Sequence, residues 1–395
     1  TRLRSIEMLG RSQSLKAIDP LIGLLSDSNS ALRHAARTAL AVLQWEPVGL
    51  RNSTLANGYA RWLLRSEVVA RVNGSDGASQ TDLIRPLGHD TEANWRQAAI
   101  DTIAQSRVTA LTGTCISGLD DTDEGVRRSA AIALQQLGYA FASDQERALY
   151  YVAIGRHVDA ASLGEVAEAR LVRALRTHAQ DMDRANAGAA LSQCSGAASE
   201  AALIEALHDP STAIRIKASY ALGVRTADSA ASSLAHLLHD TEPDVRSAAG
   251  IALTTCGESG LLALRDALVS DDVLRRREAS RALGRMGADA TAIAKDLVSA
   301  LEHEGDALTR RYVATALGHI GGTSGISELV STLQVDSDDG VRAAAARALA
   351  YRGGTAVIPA LCEALADADS EVRATALAGL YSLDWTPSDA LGTAL

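Results

Sequence analysis

The sequence predicts an all-α solenoid, a right-handed superhelix of about twelve helical hairpins of which two are modified. Three observations predict it. A motif of Asp, five residues, Arg, six residues, then Leu or Ile recurs at Asp27/Arg33/Leu40, Asp90/Arg96/Ile103, Asp121/Arg127/Leu134, Asp209/Arg215/Leu222, Asp240/Arg246/Leu253, Asp336/Arg342/Leu349 and Asp367/Arg373/Leu380. Its interval is nearly constant: from Arg184 to Arg373 consecutive arginines stand 31, 31, 30, 34, 32 and 31 residues apart. The composition is 47% hydrophobic but only 3% aromatic, so the interior must be built from Ala, Leu, Val and Ile, which suits closely packed helices.

Each unit reads as two helices around an Asp-containing turn. Apolar residues at helical spacing, such as Leu203, Ile204 and Leu207, or Leu234, Leu237 and Leu238, mark the first helix. The second begins four residues before the arginine, where Asn29, Asp123, Ser211, Asp272, Asp306, Asp338 and Asp369 offer side-chain oxygens to free backbone N–H groups. Pro243 falls one place further on, where a missing N–H costs nothing. Ala-Leu-Gly follows at 221–223, 282–284 and 316–318; the alanines let helix axes approach, and the glycines there, with Gly257 and Gly353, read as helix C-termini. Three copies lack the Asp: Arg184/Leu191, Arg276/Leu283 and Arg310/Leu317, the last with Glu304 in the acidic place.

One hairpin of this size cannot bury its apolar faces, so the copies are expected to stack into one continuous core, a single solenoid over residues 1–395. Two gaps in the register hold modified repeats, near 45–78 and 138–165, the first containing Trp45 and Trp62 with Trp95 beside it. A third such opening stands at Asp384-Trp385-Thr386-Pro387, and Arg2/Leu9 places Thr1 inside a second helix, so the sequence reads as a segment of a longer protein. In the stack, each Asp is expected to accept from backbone N–H groups and from an Arg of its own or the neighbouring repeat, a structural ladder of Asp27, Arg33, Asp90, Arg96, Asp121, Arg127, Asp209, Arg215, Asp240, Arg246, Asp336, Arg342, Asp367 and Arg373.

The pattern Asp-x-x-x-x-Val-Arg-x-x-Ala-x-x-Ala-Leu-Gly, clearest in Asp240–Leu253 and Asp336–Leu349, resembles the short HEAT-like repeat named after phycobilisome lyases. That resemblance implies a HEAT-like solenoid, and as one functional alternative a phycobilin lyase or isomerase-like protein in which Tyr220, Arg277 and Arg281 hold a pigment and its propionates. Deoxyhypusine hydroxylase is also built from HEAT-like repeats, with His-Glu pairs shortly before the Leu-Gly. The matching places here hold Arg277-Glu278 and His34-Ala35, which argues against a di-iron site.

A net charge of −10, from 38 Lys and Arg against 48 Asp and Glu, repels phosphate backbones and anionic lipid; nucleic-acid binding along a basic groove is therefore the second alternative. No stretch approaches the roughly 20 apolar residues of a spanning helix, and the expected compartment is the cytosol. The four cysteines form neither a disulfide framework nor a zinc spacing. Cys115, Cys194 and Cys256 occupy places that other repeats fill with apolar residues and read as core. His89, His208, His239 and His303 lie seven residues before their arginines, in the last turn of the first helix, where they complement the helix dipole. No metal, cofactor or catalytic set is expected.

One surface feature remains. Residues one, five and nine after each arginine share a face of the second helix and are expected to line the inner curve of the rod. That row reads Ile216, Tyr220, Val224 and Ile251, then Arg277, Arg281 and Arg285, then Arg311 and His319, then Arg347 and Tyr351. An apolar stretch beside a basic one suits an acidic amphipathic segment of another protein; in the competing reading the apolar residues pack between repeats and the arginines pair with nearby acids. The expected function is a protein-interaction scaffold or sensor segment without chemistry of its own.

Overall fold

The computed structural model describes residues 2–12, 14–27, 30–43, 84–85 and 87–386, and among them every regular element is helical, with no strand. The modified repeat near 45–78, with Trp45 and Trp62, and the cap candidate Asn29 lie outside the described residues. The chain forms two compact units, Thr1–Ile154 and Gly155–Leu395. The division falls inside the modified repeat at 138–165.

The first unit holds α1 (Arg2–Arg11), α2 (Ile18–Gly23), α3 (Ser30–Val42), α4 (Ala93–Gln105), α5 (Thr112–Gly118), α6 (Glu124–Gln136) and α7 (Asp144–Ala153). Helices α2 and α3 form a hairpin with α3 against α1, and α5 and α6 form another with α6 against α4. Beyond α6 the repeat changes character. Phe141 meets Tyr139 edge-on at 5.5 Å and Tyr150 at 4.7 Å, while Tyr139 donates to Glu146 Oε2 at 3.1 Å. Aromatic packing thus takes over where the alanine-based register stops.

The second unit opens with the short α8 (His157–Ala161) and continues as hairpins: α9 (Glu165–Thr177) with α10 (Asp181–Ala190), α11 (Ala197–Ala206) with α12 (Thr212–Val224), and α13 (Ala231–His236) with α14 (Pro243–Leu253). Next come α15 (Gly257–Leu268) with α16 (Val273–Met286), α17 (Ala294–His303) with α18 (Ala307–Ile320), α19 (Ile326–Val335) with α20 (Asp339–Arg352), and α21 (Ile358–Glu363) with α22 (Ser370–Ser382). Each second helix from α10 to α22 packs against the next one, and the first helices from α13 to α21 stack beside them. This is an α-solenoid: a two-layer array in which hairpins contact their neighbours.

Local chemistry sets the helix starts. Asp123 accepts from Val126 N–H at 3.0 Å, Asp306 from Thr309 N–H at 2.8 Å, Asp338 from Val341 N–H at 2.9 Å and Asp272 from Leu274 N–H at 2.8 Å. Ser211 is a correction, since its side chain makes no cap bond; its N–H instead donates to Asp209 at 2.8 Å. The leucine seven residues after each arginine supplies the seam: Leu134, Leu191, Leu222, Leu253, Leu283, Leu317 and Leu349 are fully buried.

The Ala-Leu-Gly glycines also require correction. Gly223, Gly284 and Gly318 lie in the last turn of their helices but, without a positive φ, are not left-handed capping residues. A Cβ at Gly318 would sit 2.8 Å from Ala348 Cβ, one at Gly223 3.0 Å from Ala252 Cα, and one at Gly10 2.8 Å from Ala39 Cβ. At Gly318, Gly223 and Gly10 the glycine is therefore a notch that lets the alanine of the next second helix approach, whereas Gly284 has ordinary room, with Ala316 3.6 Å from such a Cβ. Between α20 and α22 the roles exchange: a Cβ at Gly379 would sit 2.7 Å from Ala350 Cβ. Gly353, at φ +72, does end α20.

At the start of the second unit His157 is 2% exposed, and neither ring nitrogen has a partner among the described residues. Its ring lies edge-on to His178 at 5.6 Å. Burial, reinforced by His178, pushes His157 down to about 4 from its ordinary 6.5.

Gly318→Ala is expected to cost about 1 to 3 kcal/mol by overpacking the notch, whereas Gly113→Ala, with open space around it, is expected to be neutral or stabilising by a few tenths. Urea unfolding compares the two. The depressed pKa of His157 means that the unfolded chain binds the proton more readily, so stability is complete above pH 6.5 and falls as pH drops toward 4, by up to about 3 kcal/mol. Melting temperature against pH should slope in that window for wild type and flatten in His157→Leu.

Candidate functional site

The recurring Asp and Arg form a two-sided connector. Within a repeat, the arginine folds back on its own turn: Arg215 Nη1 donates to the carbonyls of Asp209 and Pro210 at 3.0 and 3.1 Å, and Arg33, Arg96, Arg127, Arg246, Arg342 and Arg373 likewise reach the carbonyls of Asp27, Asp90, Asp121, Asp240, Asp336 and Asp367. Between repeats, the other edge of the guanidinium takes the acid of the following turn. Arg96 pairs with Asp121 at 2.7 Å, Arg215 with Asp240 at 2.9 Å, and Arg310 with Asp336 and Arg342 with Asp367 at 2.8 Å each. The weaker copies join in, as Arg184 meets Asp209 at 2.7 Å and Arg276 meets Glu304 at 2.6 Å.

Each acid also accepts the N–H two residues on, as Asp240 does from Glu242 at 2.9 Å. The residue therefore shapes its turn and grips the preceding repeat at once. The Arg342 guanidinium holds Asp367 below the usual carboxylate range. All these arginines and acids are committed to structure.

The second-helix row gathers on the layer from α12 to α20. Val224 is 72% exposed, Tyr351 69% and Tyr220 42%, while Ile216 and Ile251 are half-buried between helices. The basic members divide. Arg277 is bidentate to Asp306 at 2.8 and 2.6 Å, and Arg281 reaches Glu278 at 2.9 Å, so these two are neutralised within the fold. Arg285 and Arg311 are exposed and make no ion pair among the described residues. Arg347 stands 3.8 Å from Glu371, with both side chains mostly in solvent, a weak pairing. His319 Nδ1 lies 2.8 Å from Gly284 O, and its ring meets Tyr351 edge-on at 5.0 Å.

Beside Tyr351 a groove of about 470 Å³ runs between α20 and α22, floored by Ala350, Ala374, Ala378 and Gly379 and flanked by Arg347 and Glu371. It exists because α22 carries only small side chains along its row. Leu377 and Tyr381, on the same helix, are exposed as well. Sequence reasoning passed over α22, since its row positions are Ala374, Ala378 and Ser382.

Two arginines were missed entirely. Arg225 and Arg352 stand ten residues after their repeat arginines, a place read as core. Arg352 Nη1 donates to Leu317 O at 2.9 Å and its Nη2 to Ser324 O at 2.9 Å; Arg225 reaches Ser199 Oγ and Gly196 O at 3.1 Å each. They bind carbonyls near the end of the preceding second helix and in the loop after it, a second set of inter-repeat ties. Cys115, Cys194 and Cys256 are buried, and burial pushes the Cys115 thiol up to about 12 and that of Cys256 to about 11, unsuited to thiolate chemistry. His208, His239 and His303 are exposed at their helix ends, and His303 Nδ1 lies 2.9 Å from Ser299 O of its own helix.

Fold and site together define an α-helical repeat protein with an exposed second-helix face. Residues 168–254 and 294–381 match the family model for HEAT repeats, so these two stretches carry repeats of that type. Among solved structures the chain is similar to an engineered protein, at 22% identity over 93% of this chain and 98% of that one, with a TM-score of 0.38. It is also similar to Kap121p bound to Ste12p, at 12% identity over 94% of this chain and 53% of that one, TM-score 0.46. Kap121p bound to RanGTP gives 12% identity, 93% and 52% coverage and a TM-score of 0.45; the chain spans about half the length of Kap121p. No curated protein matches the chain in sequence. Among the described residues no helix is long and apolar enough to cross a membrane.

Asp240→Ala is expected to destabilise by about 3 kcal/mol, because it leaves the Arg215 guanidinium half-buried without its anion and frees the turn N–H. Chemical denaturation measures the loss, and Arg215→Met in the same chain should recover part of it.

Proposed function

We propose that this protein is a cytosolic interaction scaffold of the short, phycobilisome-lyase-like HEAT type, holding a partner protein along the second-helix layer and performing no catalysis itself. The observation that carries this reading is the continuity of that layer. Successive helices α12, α14, α16, α18 and α20 pack side by side, so their outward positions form one surface on which large apolar and cationic side chains stay uncovered. Exposed Tyr beside arginines is the composition of interface anchors. On this face Arg277 and Arg281 pair with acids of the fold, which leaves Arg285 and Arg311 as exposed cations with no ion pair among the described residues.

The partner that fits is an acidic amphipathic segment, its apolar side chains meeting Tyr220 and Val224 at one end and Tyr351 at the other, its carboxylates meeting Arg285 and Arg311. An unpaired arginine contacting a carboxylate across a partly desolvated interface contributes on the order of 1 kcal/mol.

Peptides selected from a random phage-displayed library against the chain test this reading. The selected set should be enriched in Asp and Glu interspersed with Leu, Phe or Trp, and Arg285→Glu with Arg311→Glu should weaken their binding by about tenfold or more in fluorescence anisotropy, with helicity and melting unchanged. Selected peptides that bind the double variant as tightly as wild type would remove the second-helix face as the site.

A further inference from the structure

Between Arg184 and Arg342 the inter-repeat ladder is interrupted once, at Arg246. In the repeat that begins α16, Ser270 stands where neighbouring repeats carry Asp209, Asp240, Glu304, Asp336 or Asp367. Ser270 retains half of the acid's role, since its Oγ accepts the N–H of Asp272 at 3.2 Å. The other half is left open. Arg246 of α14 donates Nη1 to its own turn, to Asp240 O at 2.7 Å and Thr241 O at 3.1 Å, but its Nε is sequestered from solvent without a partner among the described residues. In Arg215, Arg276, Arg310 and Arg342 that same Nε meets the next repeat's acid at 2.9, 2.6, 2.8 and 2.8 Å. By the register of the repeat, this buried cationic N–H faces a turn with Ser270 in place of the acid, an arrangement with a standing energetic cost.

We infer that the junction between α14 and α16 is an oxyanion site that takes phosphate, either free or esterified to Ser270. The donors are the Nε edge of Arg246, the N–H of Asp272 and, for a free ion, the Ser270 hydroxyl. The equivalent position in the next repeat accommodates a longer anion than Asp, Glu304, bidentate to Arg276 at 2.6 and 3.0 Å, and phosphoserine projects its oxygens about as far as glutamate does.

The neighbouring Asp272 does not forbid a second negative charge. Its carboxylate is turned into its own helix, accepting from Leu274 N–H at 2.8 Å, and Asp336 beside Asp338 and Asp367 beside Asp369 already place two acids in this relation. Ser270 itself is half-buried, so the position is not sealed from solvent.

When the phosphate is carried by Ser270, its Oγ forms the new bond to phosphorus while the bond from the terminal phosphorus to the bridging oxygen of a nucleoside triphosphate breaks. The nucleoside diphosphate leaves, and the hydroxyl proton passes to the base of the transferring kinase. The product carries about −1.5 to −2 charges opposite Arg246 and completes the tie between two repeats.

Thermal melting of the full chain at constant ionic strength tests this. Ser270→Asp should raise the midpoint by about 2 to 4 °C, and Arg246→Met should erase that gain. If the source is free phosphate, inorganic phosphate raises the wild-type midpoint saturably and neither variant responds. If the source is the ester, the chain with phosphoserine incorporated at 270 melts above the unmodified chain, phosphatase reverses the shift, and free phosphate has no effect. The inference is overturned if neither source moves the midpoint, if the Ser270→Asp gain survives in the Arg246→Met chain, or if inorganic phosphate stabilises all three proteins equally.

Discussion

No hairpin of this chain is large enough to bury its own apolar face, so within each unit every element is held by its neighbours in the stack. Close approach of the second helices is what makes that possible. Gly318 against Ala348, Gly223 against Ala252 and Gly10 against Ala39 bring backbones to contact, and the seam leucines between them are fully buried. The same approach sets the reach of the ladder. An arginine that must bind its own turn with Nη1 and the next turn's acid with Nε can do both only at one helix spacing, so packing and electrostatics specify the same distance.

Much of this was legible in the sequence because repetition turns weak signals into strong ones. One Asp followed six residues later by Arg means little; the pair returning at a nearly fixed interval gives the turn, the second helix and the ladder together. Three things were not legible. The glycine of Ala-Leu-Gly looks the same whether it ends a helix or notches one, since both uses need a missing Cβ, and only the neighbour at Ala348 distinguishes them. Arg225 and Arg352 fall on places where other repeats have core residues, and nothing local shows that a long polar side chain will run out to carbonyls of the preceding repeat. The division of the basic row depended on acids in other helices: Arg277 is claimed by Asp306, one repeat away, and no periodicity within α16 reveals that.

Charge distribution separates structure from function here. The chain is acidic overall, yet its ladder arginines are matched almost one for one by acids in the adjoining repeats, so the ladder adds little to the external field. In the proposed reading, what a partner meets is set by the few residues outside that matching. On the second-helix face these are cations, Arg285 and Arg311, with Tyr220, Val224 and Tyr351 as the apolar anchors. In the proposed reading, cations on this face of an acidic protein favour a partner recognised by short-range contact over one drawn in from a distance.

The position of the missing acid bears on that surface. Ser270 interrupts the ladder between α14 and α16, and this is where the row changes character, from Tyr220, Val224 and Ile251 on one side to Arg277, Arg281 and Arg285 on the other. In a stack whose stability is a sum of neighbouring interfaces, one unfilled tie weakens a single joint and leaves the rest intact. The chain can therefore carry the buried Nε of Arg246 at a local cost, where a globular core would spread that cost over its whole fold. A segment that engages both stretches must span this joint, so the angle and stiffness between α14 and α16 set whether its apolar and acidic halves can be seated together. An anion at Ser270 acts on the joint without touching any residue of the binding row, which would separate control of the surface from the surface itself.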